Sequence, residues 1–499
     1  MMARVGWFLV LVGLSVCVAA ATVCAADDQG ATAATQPGQA NISPPAGGAG
    51  PMQVAKPTLP QPRVCSDNRT ISPDGKWLCC FGNHCYATDG SAHAALPGSL
   101  VKGVWAPDSH CYAYLGALTE GDISGNGSNT RLPGWVIAGW SPTGQATGRL
   151  WLDQRQAWAG WEPVSLVGWS ADSREIIVLA RSVKPPPGAQ EWNLDRVHRL
   201  IALTEDGKSA RALLEVVQLQ TAKMQFGFSP DGTRLACLWG VDTSSPGRYR
   251  RMDIVNLVAP QPDSPPMSGC LLNDACWLPD GKGLLLYLAN GGQTLPGVTG
   301  PAIARCDLEG NLSLVATLDP QRSWGWGHDT HLWLGLQISA DGRWLLWGGS
   351  ASWLLDLNAI TDPKVALTPN AKPMVALRST QATISQDGQW VLFDGERPKP
   401  VPSIGQLDLP TRIDERWTYL LNTGKGQSRW FAPGGLSEVD WSQDGRTLGG
   451  MASGNVSGDI IGGPSGVVYS LSRMTCTHFG VDSPNPDAHI VVTDWTAHE

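Results

Sequence analysis

Eight times along the chain a large apolar residue is followed, three positions on, by an aspartate. The apolar residues are Ile71, Trp105, Trp169, Phe228, Trp277, Ile338, Ile384 and Trp441. The aspartates are Asp74, Asp108, Asp172, Asp231, Asp280, Asp341, Asp387 and Asp444. Gly follows each aspartate except in two copies, where it is Ser109 and Ser173. Aspartate can fold its carboxylate back onto nearby backbone N–H groups, and glycine tolerates the left-handed geometry that closes such a turn. Beyond each turn, apolar residues return at alternate positions: Leu78, Tyr112, Ile176, Leu235, Leu284, Leu345, Val391 and Leu448, then Cys80, Tyr114, Val178, Cys237, Leu286, Trp347, Phe393 and Gly450. Period two with one apolar face is a half-buried strand. Each copy therefore reads as strand, tight turn, strand. A unit of this kind recurring at a fixed scale is a repeat architecture.

The composite pattern W-S-P-D-G-x-x-L-x-F resembles the WD40-like (PD40) repeat, as found in the propeller domain of TolB-type periplasmic proteins. The resemblance covers residues 63 to 475. It implies an all-β fold, a β-propeller of four-stranded antiparallel blades. The α/β domain that precedes the propeller in TolB has no counterpart here. Neither does the hydrolase domain of prolyl oligopeptidases, because Gly463-Pro-Ser-Gly lacks the spacing of a nucleophile elbow. Eight turns predict eight blades, with seven as the alternative if one terminal unit is incomplete. Successive aspartates lie between 34 residues (Asp74 to Asp108) and 64 residues (Asp108 to Asp172) apart, enough for four short strands. Trp140-Ser-Pro-Thr-Gly lacks the aspartate and reads as a hairpin inside the second unit.

Composition agrees with one large β domain. The 58 glycines and 37 prolines supply many turns, and the best short stretch with a helical period is Leu213 to Lys223. A net charge of −8 without a basic stripe argues against nucleic acid. Tryptophan is common, at 23 residues; Trp77, Trp105, Trp169, Trp277, Trp344, Trp347, Trp390 and Trp441 flank or follow the turns and read as packing between blades.

Residues 1–26 read as a signal peptide: Arg4 precedes an apolar run from Val5 to Ala26 that ends in small residues. An uncleaved membrane anchor is the alternative, since the run is long enough to span a bilayer. Residues 27–62, rich in Ala, Pro and Gly, read as a flexible linker, and 63–499 as the propeller. Export permits disulfides. Cys65 with Cys85 and Cys270 with Cys276 are the first pairs to test, while Cys80 and Cys237 sit at inward strand positions and read as buried thiols.

The repeat also orients the molecule. In an antiparallel blade the Asp turn joins the first and second strands, so the loop after the second strand lies at the opposite end. The long insertions fall there: 117–133, 181–195, 240–250, 289–302, 396–415 and 454–466. Elaborated loops on a rigid scaffold are where binding residues concentrate. The binding candidates are Trp158, Trp161, Trp192, Trp324, Trp326, His328 and His331, with charged flanks at Glu396 and Arg397. The turn aspartates are assigned a structural role. His328-Asp329-x-His331 does not have the spacing of a known metal motif, and Asp122-Ile-Ser-Gly-Asn126-Gly lacks the glutamate that would complete a calcium loop, because Pro133 stands in its place. No cofactor or metal is expected. The expected function is a non-catalytic, monomeric scaffold at the bacterial cell envelope that binds a protein or peptide. The alternatives are carbohydrate recognition through exposed Trp, or a propeller lyase or glycosidase.

Overall fold

In this computed structural model the described residues are 70–80, 84–96, 99–117, 136–142, 149–152, 160–184, 186, 188, 195–204, 209–219, 224–240, 249–259, 267–289, 291, 295–319, 336–347, 352–368, 374–377, 379, 382–396, 416–433, 435–453, 465–471, 475–481 and 490–496. Among them there is no α-helix. The chain is a β-propeller of antiparallel sheets. The first repeat unit comprises Thr70–Ile71, Trp77–Cys80, His84–Ala87 and His93–Ala95; the second comprises Ser99–Trp105, Tyr112–Ala117, Val136–Trp140 and Arg149–Leu152. The third is Trp161–Trp169, Glu175–Ser182, Asp195–Thr204 and Ala210–Leu219. The fourth and fifth are fused into one eight-stranded sheet. Met267–Trp277 closes Met224–Phe228, Arg234–Gly240 and Tyr249–Asn256, then opens Gly283–Leu288, Ala302–Asp307 and Leu312–Leu318. The sixth is Gln337–Ile338, Trp344–Trp347, Trp353–Asp356 and Met374–Ala376, and the seventh Ala382–Ile384, Trp390–Glu396, Arg416–Asn422 and Gln427–Pro433. The eighth has five strands: Gly435–Trp441, Thr447–Ser453, Ser465–Ser470, Thr475–Val481 and Ile490–Thr496.

Each large apolar residue of the repeat ends the first strand of its unit. Each lies directly opposite its alternating partner on the second: Ile71 faces Leu78, Trp105 Tyr112, Trp169 Ile176, Phe228 Leu235, Trp277 Leu284, Ile338 Leu345, Ile384 Val391 and Trp441 Leu448. All eight second-strand partners are buried. The indoles add direction to this packing. Trp169 Nε1 donates to the Val104 carbonyl at 3.1 Å, Trp277 Nε1 to the Gly227 carbonyl at 2.7 Å, and Trp441 Nε1 to Thr383 Oγ1 at 2.9 Å. Each bond ties a first strand to that of the preceding unit, so burying the ring leaves no orphan donor. Asp274 does the same across three units. Its carboxylate accepts from Gln225 Nε2 at 2.7 Å and from the Leu336 N–H at 2.6 Å.

The turns form a second ring. All eight residues after the aspartates have positive φ, Ser109 and Ser173 included. In six turns the preceding serine donates to the aspartate, as Ser72 Oγ does to Asp74 at 2.6 Å and Ser229 Oγ to Asp231 at 2.6 Å. The aspartate in turn accepts the N–H two residues on, for example Lys76 N at 3.1 Å. Neighbouring turns touch. The Asp74 N–H donates to Ser109 Oγ at 3.0 Å, Asp108 N–H to Ser173 Oγ at 3.3 Å, and Ala340 N–H to the Gln386 carbonyl at 2.8 Å. The Gln443 N–H donates to the Pro73 carbonyl at 2.7 Å, which joins the eighth turn to the first. Val468 of the eighth unit packs with Ile71, Leu78 and Tyr86 of the first, so the ring closes by packing between complete units.

Three expectations are corrected. Cys85 is bonded to Cys79, not Cys65. The two stand directly opposite on neighbouring strands, with Cα atoms 4.1 Å apart. Cys276 is a buried thiol and makes no bond to Cys270. Both lie on the single extended strand Met267–Trp277, and six residues of strand span about 20 Å, beyond the reach of a disulfide. The helical stretch beginning at Leu213 is instead the end of the strand Ala210–Leu219. A register shift opposite Leu200 and Ile201 turns both Leu213 and Val216 inward, and that bulge mimics helical spacing. Cys237 is buried as expected, and the Cys80 side chain lies outside the described residues.

One connection leaves its own unit. The segment after Asp356 makes a 3₁₀ turn, Leu357–Ala359, and then lays Ala366–Leu367 parallel to the outer edge of the fifth unit. Thr317 N and Oγ1 both donate to the Pro363 carbonyl at 3.0 Å. This strap covers a sheet edge that would otherwise be a template for pairing.

Candidate functional site

The six long insertions all leave from the end of a second strand and return at the start of a third, as antiparallel topology requires. They therefore emerge at the end of the propeller opposite the ring of Asp turns. The described structure is richest at that end in the third unit. Here the first strand begins at Trp161, the second ends at Ser182, the third begins at Asp195 and the fourth ends at Leu219.

Ladder register sorts the side chains of this end onto two faces. One face carries the row Glu162, Arg181, His198 and Val216, each directly opposite the next. Arg181 donates from Nε at 2.8 Å and from Nη2 to the same carboxylate oxygen of Glu162. The other face carries Trp161 and Arg199. The Arg199 guanidinium lies 4.1 Å from the centre of the Trp161 ring and forms an ion pair with Glu215. A guanidinium over an indole face is favourable through the ring quadrupole, and it is held by its carboxylate. Ser182 ties the rim together: its hydroxyl accepts the Val197 N–H at 3.0 Å and donates to the Lys184 carbonyl at 2.7 Å. Val183 and Val217 are 54% and 55% exposed at this same end. The arrangement offers apolar contact flanked by charge, with one face of Trp161 already covered by Arg199.

Of the binding candidates, Trp161 has a described side chain. It is half-buried at the base of the end just described and packs on the apolar cluster shared with the second unit. Trp158, Trp192, Trp324, Trp326, His328, His331 and Arg397 lie outside the described residues. In sequence, Trp158 stands three residues before Trp161 and Trp192 three before Asp195. Glu396 ends the second strand of the seventh unit opposite Arg416. Sequence reasoning missed Arg199, Arg181, Glu162 and the two valines. Arg199 meets Trp161 only through a register across three strands, and no local spacing carries that information. Among the described residues, no three His, Cys, Asp or Glu side chains gather in a way that could hold a metal ion.

No family model and no curated protein sequence matches the chain. Solved structures do match it at low identity. An oligogalacturonate lyase in complex with manganese is 13% identical, covering 66% of this chain and 85% of that one, with a TM-score of 0.40. TolB from Acinetobacter baumannii is 12% identical, covering 76% and 81%, with a TM-score of 0.31. Porphyromonas gingivalis dipeptidyl peptidase 4 is 10% identical, covering 83% and 59%, with a TM-score of 0.46. At these scores the matches say nothing about activity; the propeller rests on the sheets, registers and ring closure above.

Proposed function

We propose that the protein is an exported propeller scaffold that binds a protein or peptide partner at its insertion-bearing end, with the third unit as the best-defined part of that surface. The observation that carries this reading is the combination of Trp161, stacked by Arg199, with the exposed Val183 and Val217 and the paired charges of Glu162, Arg181 and Glu215. Half-buried aromatics and arginines ringed by apolar and paired polar groups resemble the anchors of protein interfaces. A sugar platform would want an open indole face, and Arg199 covers one face of Trp161. Trp158, Trp192, Trp324, Trp326, His328, His331, Glu396 and Arg397 complete the proposed surface on the same end. Export to the bacterial envelope is part of the reading. The Cys79–Cys85 disulfide supports it, since such bonds persist in oxidising compartments.

The test is a comparison of an immobilised peptide array and a glycan array, probed with the wild-type protein, with Val183→Asp/Val217→Asp, and with Lys282→Ala on the turn ring. Peptide binding lost in the first variant and kept in the second supports the reading. Binding to glycans alone, or loss caused by the turn-ring change, sinks it.

A further inference from the structure

His198 is buried, 0% exposed, and its ring makes no well-formed hydrogen bond, with only a weak approach to the Arg196 backbone. It stands next to the Arg181–Glu162 pair in the ladder row of the third unit. Its other neighbour, Val216, packs in the apolar cluster that joins the third unit to the fourth. The fourth unit brings Cys237 and Trp239 to this cluster. Trp239 is likewise buried, with an indole N–H that finds no acceptor. Cross-strand partners share a face, so Arg251, opposite Trp239, and Asp253, opposite Cys237, point to the same seam. They are paired with each other at 2.8 and 3.0 Å, and Asp253 is buried. The charged and titratable groups on the faces that His198 shares are therefore Arg181 on the neighbouring strand, Glu162 on the strand beyond it, Arg196 on its own strand, and Cys237, Arg251 and Asp253 on the seam-facing side of the fourth unit. Both carboxylates are already neutralised by an arginine.

We propose that the seam between the third and fourth units is an acid-sensitive joint, with His198 as its proton acceptor and the insertion-bearing end of the third unit as the part that responds. A proton on His198 would add a cation directly opposite Arg181, in a buried site where both carboxylates named above are already paired with arginine. Protonation therefore favours a state in which the two units have moved apart far enough for the imidazolium to be solvated. Burial, and then the Arg181 guanidinium, pull the His198 pKa down from 6.5 to about 4, and the weaker approach to the Arg196 backbone opposes them. Because the folded pKa lies below the unfolded one, the unfolded or opened state binds the proton first. The stability that His198 contributes is complete above pH 6.5 and is lost as pH falls towards 4. Over that window the equilibrium moves toward the open state by up to about 300-fold. The consequence for binding rests on the function proposed above; the joint itself does not.

The experiment follows hydrogen exchange of peptides covering 161–182, 195–204 and 234–240 between pH 7.5 and 4, corrected for intrinsic exchange, in wild type and His198→Phe. Protection at the seam falls with acid in wild type and stays flat in the variant. The same acid profile in both overturns the joint. Should His198→Phe fail to fold, imidazole NMR of the wild-type protein decides, with His198→Gln used for assignment. A His198 signal titrating near 6.5 overturns the proposal, and one near 4 supports it. Retention on the best array peptide is then measured over the same window. A joint that opens while retention is unchanged removes the third unit from the binding surface and leaves the joint standing.

Discussion

The third repeat unit is built from strands of 9, 8, 10 and 10 residues, and the first from strands of 2, 4, 4 and 3. Both carry the same turn, Ser-x-Asp with a positive-φ residue after it, and the same register between first and second strands. The third unit is sealed on both faces by aliphatic side chains. Ile176, Val178 and Ala180 pack toward the second unit, and Ile177 and Leu179 toward the fourth. The first unit has far less to bury. On the seam with the eighth it offers Ile71, Leu78 and Tyr86, and its outer strands carry a stacked His84, Tyr86 and His93. Its second and third strands are instead joined by the Cys79–Cys85 bond. The repeat thus specifies a turn and a register, and each unit is then stabilised by whatever its neighbours allow. Where strands are long, apolar area suffices; where they are short, a covalent crosslink stands in.

The comparison is broken first in the third unit. Leu179→Ala removes a fully enclosed side chain at the seam with the fourth unit and should cost about 3 kcal/mol of global stability. Urea unfolding should show a lower midpoint with an unchanged slope. A lower slope, with the loss confined to one region, would mean that the third unit is not a cooperative part of the ring.

Reduction of Cys79–Cys85, or replacement of both by alanine, should cost about 2–3 kcal/mol. This loss should be local. Because the ring closes by packing between complete units, the first unit can loosen from the eighth without unravelling a shared strand. Exchange should rise in 77–87 and in 465–470, and not in the third unit. A uniform rise across the ring would show that the closing seam is as cooperative as the others.

These two regions also show what a sequence alone can carry. The eight turns, their positive φ and the eight cross-strand pairs were legible because every determinant lies within ten residues of chain. So were the places where the insertions leave and return, since antiparallel topology fixes them. The Cys79–Cys85 pair was not, because it depends on whether the strands Trp77–Cys80 and His84–Ala87 are in register at those two residues. The stack of Arg199 on Trp161 was not either, because it joins the first strand of a unit to the third. His198 gave no signal at all: a histidine between two arginines reads as solvated until its place in the ladder, between Arg181 and Val216, is seen to be buried.

The smallest effect separates strain from contact inside the turn ring. Six turns have glycine at the left-handed position, and the second and third have Ser109 and Ser173 there, at φ of 64° and 60°. A non-glycine residue in this region costs about 1 kcal/mol. The hydroxyls offset it: Ser109 Oγ accepts from the Asp74 N–H and Ser173 Oγ from the Asp108 N–H, each in the preceding turn. Both donors follow a proline, Pro73 and Pro107, so the N–H that Ala340 uses to reach its neighbouring turn does not exist there. In these two turns serine restores the link that proline removes, whereas after Pro230 and Pro279 the next turns carry Gly281 and Gly342. Ser173→Gly should relieve the strain and lose the bond, leaving stability within about 0.5 kcal/mol of wild type. Ser173→Ala keeps the strain and loses the bond, and should cost about 1 kcal/mol. Thermal unfolding of the two variants side by side measures the difference. Equal stabilities would show that the left-handed backbone is unstrained there, and an alanine variant as stable as wild type would show that the link between turns contributes nothing.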